Sequence, residues 1–258
     1  MTLGDAALLV AAGLTAGLMN AVVGAGTLVT FPTLLFLGYP PVLANVSNTV
    51  GLVPGSVMGA IGYRATLRGR GRLVRRLLLA TSTGGVIGGV LLIVLPGRAF
   101  AAVVPWLLLL AAVLAAVQPR VAAAIATRRA ARGRGTAHDD GTPSLGVLLG
   151  ILATGVYGGY FGAAQGVILL VILGLAIGGP INELNGVKNV LGGAANLVSA
   201  ILFIAVAEVD WSVAGLIAAG AAIGGGLGGR YGRRLPSTAL RALPVLIATV
   251  AAVSRFLA

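Results

Sequence analysis

Long apolar runs with almost no charge dominate this chain, and they constrain its fold more than any other feature. They cover 6–23, 26–37, 43–63, 77–95, 99–117, 144–161, 164–178, 184–206, 211–229 and 238–257. A helix needs about 20 predominantly apolar residues to cross a bilayer. Only 9% of the residues are charged, against about 25% in soluble domains. The sequence therefore predicts an all-α integral membrane protein, with the lipid bilayer as its surroundings.

Composition also excludes several classes of function. The net charge is +12, but the basic residues are divided among short loops between apolar runs, so we expect no nucleic-acid partner. The chain has no cysteine, which rules out disulfides and thiolate metal sites. Acidic residues fall at segment ends or in loops, so no catalytic carboxylate pair or metal cluster can be assembled inside the bilayer. We expect no enzyme, no cofactor and no metal.

The hydrophilic interval 118–143 divides the chain into two halves. It contains His138, Asp139 and Asp140, for which a solvated loop is a better interpretation than a metal site. We predict a first transmembrane repeat at 1–117, a flexible cytoplasmic linker at 118–143 and a second repeat at 144–258. The first apolar stretch follows no basic signal-peptide region, so we expect the mature protein to keep it.

The two halves resemble each other in sequence order. Each begins with a glycine-punctuated double segment, continues with a polar helix start (NVSNTVG or NGVKNVLG) and ends with two plain apolar runs. Aligning the two polar starts pairs the residues as follows: Asn45 with Asn185, Asn48 with Lys188, Thr49 with Asn189, and Ser56 with Asn196. Internal duplication of this kind is typical of secondary transporters.

Arginine-rich loops predict the orientation of the segments. Three of them occupy 64–76, 120–134 and 230–241, and the positive-inside rule places all three in the cytoplasm. The acidic loop at 208–210 should then lie outside. The linker and this loop lie on opposite sides of the membrane, so an odd number of crossings must separate them. A single span at 144–178 followed by the span at 184–206 would give two, so 144–178 must fold back on itself. The same reasoning predicts that 6–37 also folds back. The prediction is two inverted repeats, each a broken or re-entrant hairpin plus three transmembrane helices.

Lys188 is the only lysine of the chain and lies inside an apolar run. A cation at this depth costs roughly 2.5–3.5 kcal/mol on insertion scales, so it usually faces a protein interior or a polar cavity. Asn189 adjoins it, and Asn48 and Thr49 are the counterparts of this pair in the first half. These four residues are candidate ligands of a small anion. The alternative is a lysine that extends to the membrane interface or pairs with Glu183.

The two predicted hairpin turns supply further candidates for the same site. A half-helix that begins inside the protein exposes unpaired N–H groups and the positive end of its dipole, both of which suit an anion. The candidates from the two turns and the helix before the first one are Asn20, Gly24, Gly26, Thr27, Gly162, Gln165 and Gly166. The alternative for the glycines is that they serve only tight turns and helix packing.

Both halves resemble one known family. The stretches GLTAGLMNAVVGAGTLVTFPTLLFLGYP and NVSNTVGLVPGS in the first half, and GVYGGYFGAAQGVILL and NGVKNVLGGAANLVSAILF in the second, are similar to the two repeats of the TauE/SafE sulfite exporter family, also called the toluene sulfonate uptake permease family. The AAQG step at 163–166 departs from the more glycine-rich family pattern, which leaves the exact ligand open.

This resemblance implies a carrier in the bacterial inner membrane for sulfite, organosulfonates or related anions, working by alternating access. Export is the favoured direction. The alternatives are uptake of a related oxyanion, an anion channel and a non-transporting membrane scaffold. A homo-oligomer is possible from sequence, and no coupling ion is indicated, because no intramembrane carboxylate offers an evident proton relay.

Overall fold

The computed structural model describes residues 1–67, 70–132, 143–176 and 180–232, and these residues are helical apart from short connections. The helices are α1 (Leu3–Val22), α2 (Thr27–Phe36), α3 (Pro41–Gly62), α4 (Gly71–Val94), α5 (Gly97–Arg132), α6 (Leu145–Tyr160), α7 (Gln165–Ala176), α8 (Ile181–Val206) and α9 (Trp211–Tyr231). A short 3₁₀ turn, Arg64–Leu67, precedes α4. The tenth apolar run and the His-Asp-Asp stretch lie outside the described residues.

Most helix lengths agree with the predicted division into full and broken spans. The exception is α3, which was predicted as a full span and has 22 residues but is not among the helices apolar enough to cross a membrane. Within the described residues, five helices are long and apolar enough to cross a membrane: α1, α4, α8, α9 and the Gly97–Ala124 part of α5. The second helix of each predicted hairpin is short, with 10 residues in α2 and 12 in α7. At 1.5 Å per residue neither crosses a bilayer core of about 30 Å. The predicted all-helical membrane class is confirmed.

One prediction about the linker is wrong. We expected a flexible segment from Gln118, but α5 continues without interruption to Arg132. The run VAAAIATRRAAR is rich in alanine and arginine, which are strong helix formers, so it extends the preceding helix despite its polarity. Residues 133–142 of the predicted linker lie outside the described residues.

Each hairpin turns at a glycine in the left-handed region. Gly24 has φ 83° and Gly162 has φ 74°, conformations that glycine adopts without steric cost. The N–H of Gly24 donates to the Met19 carbonyl at 2.8 Å, and the N–H of Gly162 donates to the Tyr157 carbonyl at 2.9 Å. These bonds end α1 and α6 in the manner of a glycine C-cap. The two turns therefore lie at the predicted positions and share a left-handed glycine. They differ two residues later, where Ala164 has φ 58° and Gly26 has φ −62°.

Glycines allow the helix backbones to approach closely, α1 against α9 and α4 against α6. A Cβ atom built on Gly224 would lie 1.9 Å from the carbonyl oxygen of Leu14, and one built on Gly84 would lie 2.2 Å from that of Leu152. Small residues of this kind let membrane helices gain van der Waals contact. Much of the glycine content of the chain thus serves helix packing.

Helix direction follows from the same contacts. Residue numbers rise together along the α1–α9 and α4–α6 interfaces, so each pair is parallel. Along α3 and α8 they run in opposite senses, since Thr66 beyond the end of α3 faces Gly186 whereas Ser56 faces Gly193. The α1–α3–α9 group and the α4–α6–α8 group are therefore antiparallel, and the two hairpin turns point toward each other inside the molecule.

We expect Gly224→Ala to destabilise the protein, because its methyl group would meet the Leu14 carbonyl. Overpacking of this kind costs about 1–3 kcal/mol. The matched control is Gly215→Ala in the same helix, where an added Cβ has no neighbour within 4 Å, and helix propensity then favours alanine by up to about 1 kcal/mol. Thermal unfolding in detergent measures both. Equal melting temperatures for the two variants would contradict the packing described here.

Candidate functional site

The two hairpin turns meet through their backbones. The N–H of Gly166, in the first turn of α7, donates to the carbonyl of Gly24 at 3.1 Å. A Cβ on Gly24 would lie 2.4 Å from the Cα of Gly166, and a Cβ on Gly166 would lie 2.5 Å from the Cα of Gly24. Only two glycines fit this contact, which we call the tip contact.

A small polar cavity lies beside the tip contact. Its volume is about 30 Å³, room for roughly one or two water molecules. Five elements line it: the end of α1, the two turns, and the middle parts of α3 and α8. The lining residues are Asn20, Ala21, Gly24, Thr27, Gly55, Ser56, Gly59, Gly162, Gln165, Gly166, Lys188, Asn189, Gly192, Gly193 and Asn196. The walls carry amide, hydroxyl and amine groups, and a larger ligand requires the cavity to widen.

Lys188 is buried at this cavity, with 2% of its surface exposed. Its Nζ lies 3.4 Å from the carbonyl oxygen of Asn20 and 3.3 Å from that of Ala21. These carbonyls belong to the last turn of α1, whose final C=O groups have no partner within the helix. The lysine therefore sits at the negative end of the α1 dipole, where a cation is favoured.

The alternative partner of the lysine is engaged elsewhere. Glu183 accepts a hydrogen bond from Arg70 at 2.7 Å, and this is the one salt bridge within the described residues. Lys188 is also too deeply buried to extend to a membrane interface. Lys188 therefore neither pairs with Glu183 nor extends to the membrane interface.

Other predicted residues surround Lys188 and are held by hydrogen bonds. The Asn189 side chain donates to the Ala21 carbonyl at 3.0 Å, and the Asn20 side chain accepts from the Gly26 N–H at 2.9 Å. The Gln165 amide donates to the Thr154 carbonyl at 3.2 Å. Thr27 and Gly162 complete the group at the cavity wall. The structure thus brings together eight of the predicted residues: Asn20, Gly24, Thr27, Gly162, Gln165, Gly166, Lys188 and Asn189.

Three predicted residues do not line this cavity. Asn48 is 1% exposed and accepts a hydrogen bond from the Thr30 hydroxyl. The Thr49 hydroxyl donates to the Asn45 carbonyl at 2.8 Å within its own helix. Gly26 lies against α1, where an added Cβ would be 2.4 Å from the Ala16 carbonyl oxygen. Because α3 and α8 cross at Ser56 and Gly193, Asn48 is about two turns away from the crossing.

The polar residues at that crossing are not among the predicted ligands of the anion. Ser56 and Asn196 both line the cavity, and the repeat alignment pairs them with each other. In two antiparallel helices, aligned positions meet only close to the crossing point, and Ser56 and Asn196 satisfy this condition whereas Asn48 and Lys188 do not. The alignment alone does not identify Ser56 and Asn196 as neighbours; the crossing point of α3 and α8 is also needed.

Fold and site together define a polytopic helical membrane protein with a buried polar cavity between two helical hairpins. The family described as sulfite exporter TauE/SafE matches residues 9–255. The chain belongs to this family.

Two curated relatives match most of the chain. One, from a Sinorhizobium species, is described as probable membrane transporter protein ORF9; it is 25% identical over 96% of this chain and 90% of its own length. The other, from Haemophilus influenzae, is described as a probable membrane transporter protein; it is 24% identical over 93% of this chain and 90% of its own length. No solved structure matches the chain.

We expect Glu183 to be energetically coupled to Arg70 and not to Lys188. The Arg70–Glu183 pair is partly exposed, so its coupling energy should be about 0.2–1 kcal/mol. Double-mutant cycles on thermal stability, with glutamine at each position, measure both couplings. Coupling of Glu183 to Lys188 larger than its coupling to Arg70 would contradict the observed pairing.

Proposed function

We propose that this protein is a secondary transporter of a small sulfur-containing oxyanion, such as sulfite or an organosulfonate, and that the anion binds at Lys188. One observation carries the proposal: a lysine lies in a small cavity inside the membrane protein and, in the described part of the chain, has no carboxylate partner. Membership of the TauE/SafE family and the transporter names of both relatives support transport.

Electrostatics explains why an anion suits this place. A protonated lysine buried without a counter-charge is costly, and the end of α1 offsets this cost only in part, since a helix terminus carries about half an elementary charge. A bound anion supplies the missing negative charge. Positive potential for the anion comes from Lys188 and from the N-terminal ends of α2 and α7, which begin at Thr27 and Gln165.

Neutral donors at the cavity wall suit the oxygens of the ligand. Asn189, Ser56 and Asn196 line the cavity, and amide or hydroxyl groups can donate to an oxyanion without adding charge. The many glycines of the wall allow backbone N–H groups to approach the ligand. In this account Lys188 provides the charge and the polar side chains determine orientation.

We further propose that the chain consists of two inverted repeats that exchange a helix. Adding 138 to Leu14 gives Leu152, and adding 140 to Gly84 gives Gly224. The glycine of each equivalent pair packs against the carbonyl oxygen of the leucine, Gly224 against Leu14 and Gly84 against Leu152. The same offsets relate Gly17 against Ala221 to Gly155 against Thr81. Equivalent contacts in antiparallel groups support an inverted duplication, which in transporters places the binding site between the repeats.

Alternating access then requires the tip contact to open and close. In this proposal the hairpins separate to widen the small cavity when the substrate enters. The favoured direction is export across the bacterial inner membrane, in accordance with the family description.

Lys188→Gln should abolish transport or severely weaken it while the protein still folds. Loss of a charge-assisted hydrogen bond costs about 1.5–3 kcal/mol, which is roughly tenfold or more in apparent affinity. Lys188→Arg should keep part of the activity, because charge is retained but a wider guanidinium must fit. Flux of labelled sulfite and methanesulfonate into proteoliposomes measures this.

The matched control for that experiment is Arg70→Gln, which removes a cation that does not line the cavity and should leave substrate affinity unchanged. Wild-type flux in Lys188→Gln would place the anion site elsewhere. Absence of saturable flux in the wild type would favour a scaffold, and flux without counterflow would favour a channel.

Single cysteines test the proposed orientation, since the chain has none of its own. Cysteine at Ala65, in the basic loop before α4, should react only with reagents that reach the cytoplasm. Cysteine at Val209, in the acidic loop before α9, should react from the periplasm. The reverse pattern of labelling with a membrane-impermeant maleimide would invert the topology.

A further inference from the structure

Three donors beside the cavity are all bonded to one short segment of main chain. Lys188 Nζ lies near the carbonyls of Asn20 and Ala21, Asn189 Nδ2 donates to the carbonyl of Ala21, and the Gly166 N–H donates to the carbonyl of Gly24. All three donors belong to the second half of the chain. All the acceptors lie between residues 20 and 24, at the end of α1 and its turn.

We propose that the end of α1 is a tethered competitor of the substrate: the oxyanion replaces these carbonyl oxygens on Lys188, Asn189 and Gly166, and the tip of the first hairpin moves away. This inference rests on the proposed function, because it takes Lys188 as the group that holds the anion. Beyond the proposed function, it identifies the carbonyl acceptors that the anion displaces and the segment that moves.

The physical basis is a competition between a partial charge and a full one. The carbonyls at the end of a helix together carry about half a negative charge, whereas the substrate carries at least one whole charge and several oxygens. Hydrogen bonds to ionised acceptors are roughly twice as strong as bonds between neutral groups. The anion therefore exchanges favourably with the carbonyls on the same donors.

The anion and the main-chain acceptors compete for the same side of Lys188. This residue is 2% exposed and its Nζ faces the carbonyls of Asn20 and Ala21, so in this proposal the anion reaches Nζ as the end of α1 withdraws. That withdrawal also breaks the Gly166–Gly24 hydrogen bond, so binding and opening of the tip contact become one event. When the substrate leaves, the carbonyls return to the donors, and the empty carrier does not expose an unpaired buried cation.

A variant that weakens the competitor should bind anion more tightly. In Gly166→Ala the new methyl group would lie 2.5 Å from the Gly24 Cα, which keeps the tips apart; its contact with Lys188 Cδ is relieved by movement of a flexible side chain. We expect several-fold tighter binding of methanesulfonate, with slower transport because closure is impaired. The control Gly215→Ala, on an exposed face of α9, should bind as the wild type does. Calorimetric titration of the full chain in detergent measures the dissociation constants.

A second variant tests the same inference if Gly166→Ala does not fold. Asn20→Ala removes the side-chain oxygen that accepts from the Gly26 N–H, so it loosens the tip and leaves the competing carbonyls in place. Competition predicts tighter methanesulfonate binding here too, whereas weaker or unchanged binding would overturn it. Hydrogen exchange of the wild type gives an independent readout: saturating methanesulfonate should speed amide exchange in residues 21–26, and unchanged or slower exchange contradicts displacement.

Failure of this inference can be distinguished from failure of the proposed function. If Lys188→Gln loses methanesulfonate binding while Gly166→Ala and Asn20→Ala bind no more tightly than the wild type, only the competition is wrong. If Lys188→Gln binds methanesulfonate normally, the anion site itself is wrong.

Discussion

Direct backbone contact between Gly24 and Gly166 is the constraint on which the rest of the structure depends. Two helical hairpins end inside the molecule, and their turns can touch only because neither residue has a side chain. This contact fixes where α1 and α6 end and where α2 and α7 begin. It therefore determines which helix ends, with their partial charges and unpaired main-chain groups, surround the cavity. The glycine-lined interfaces of α1 with α9 and of α4 with α6 hold the two hairpins in this position.

The ends of these helices determine the electrostatic environment of Lys188. It is the only lysine in the chain, and it lies at the last carbonyls of α1. A helix terminus offsets part of a buried charge but not all of it, so under the proposed function a bound anion neutralises protonated Lys188 more completely than the end of α1 does. In this account the same donors bond the main-chain carbonyls in the empty protein and the anion in the loaded one. Binding of the anion is thereby coupled to movement of the first hairpin.

Much of this architecture could be predicted from the sequence, and the misses have identifiable causes. Apolar runs and the count of crossings predicted short helices at α2 and α7 and turns at Gly24 and Gly162, because bilayer thickness and charge asymmetry act on local sequence. The extension of α5 to Arg132 was missed since polarity was given more weight than helix propensity. Asn48 was predicted to bind the anion opposite Lys188, but α3 and α8 cross at Ser56 and Gly193. The position of a helix crossing depends on tertiary packing, which an alignment of the two repeats does not give. Likewise, the pairing of Glu183 with Arg70 depends on how the loop before α4 meets α8.

A single nitrogen tests the central claim most directly. Because the chain has one lysine, protein labelled with ¹⁵N at lysine Nζ gives one side-chain ammonium or amine resonance, which can be followed during titration with sulfite or methanesulfonate. We expect a saturable change of that resonance, with a dissociation constant that agrees with the one from calorimetric titration. Transport that saturates while the Lys188 resonance stays unchanged would contradict an anion site at this lysine.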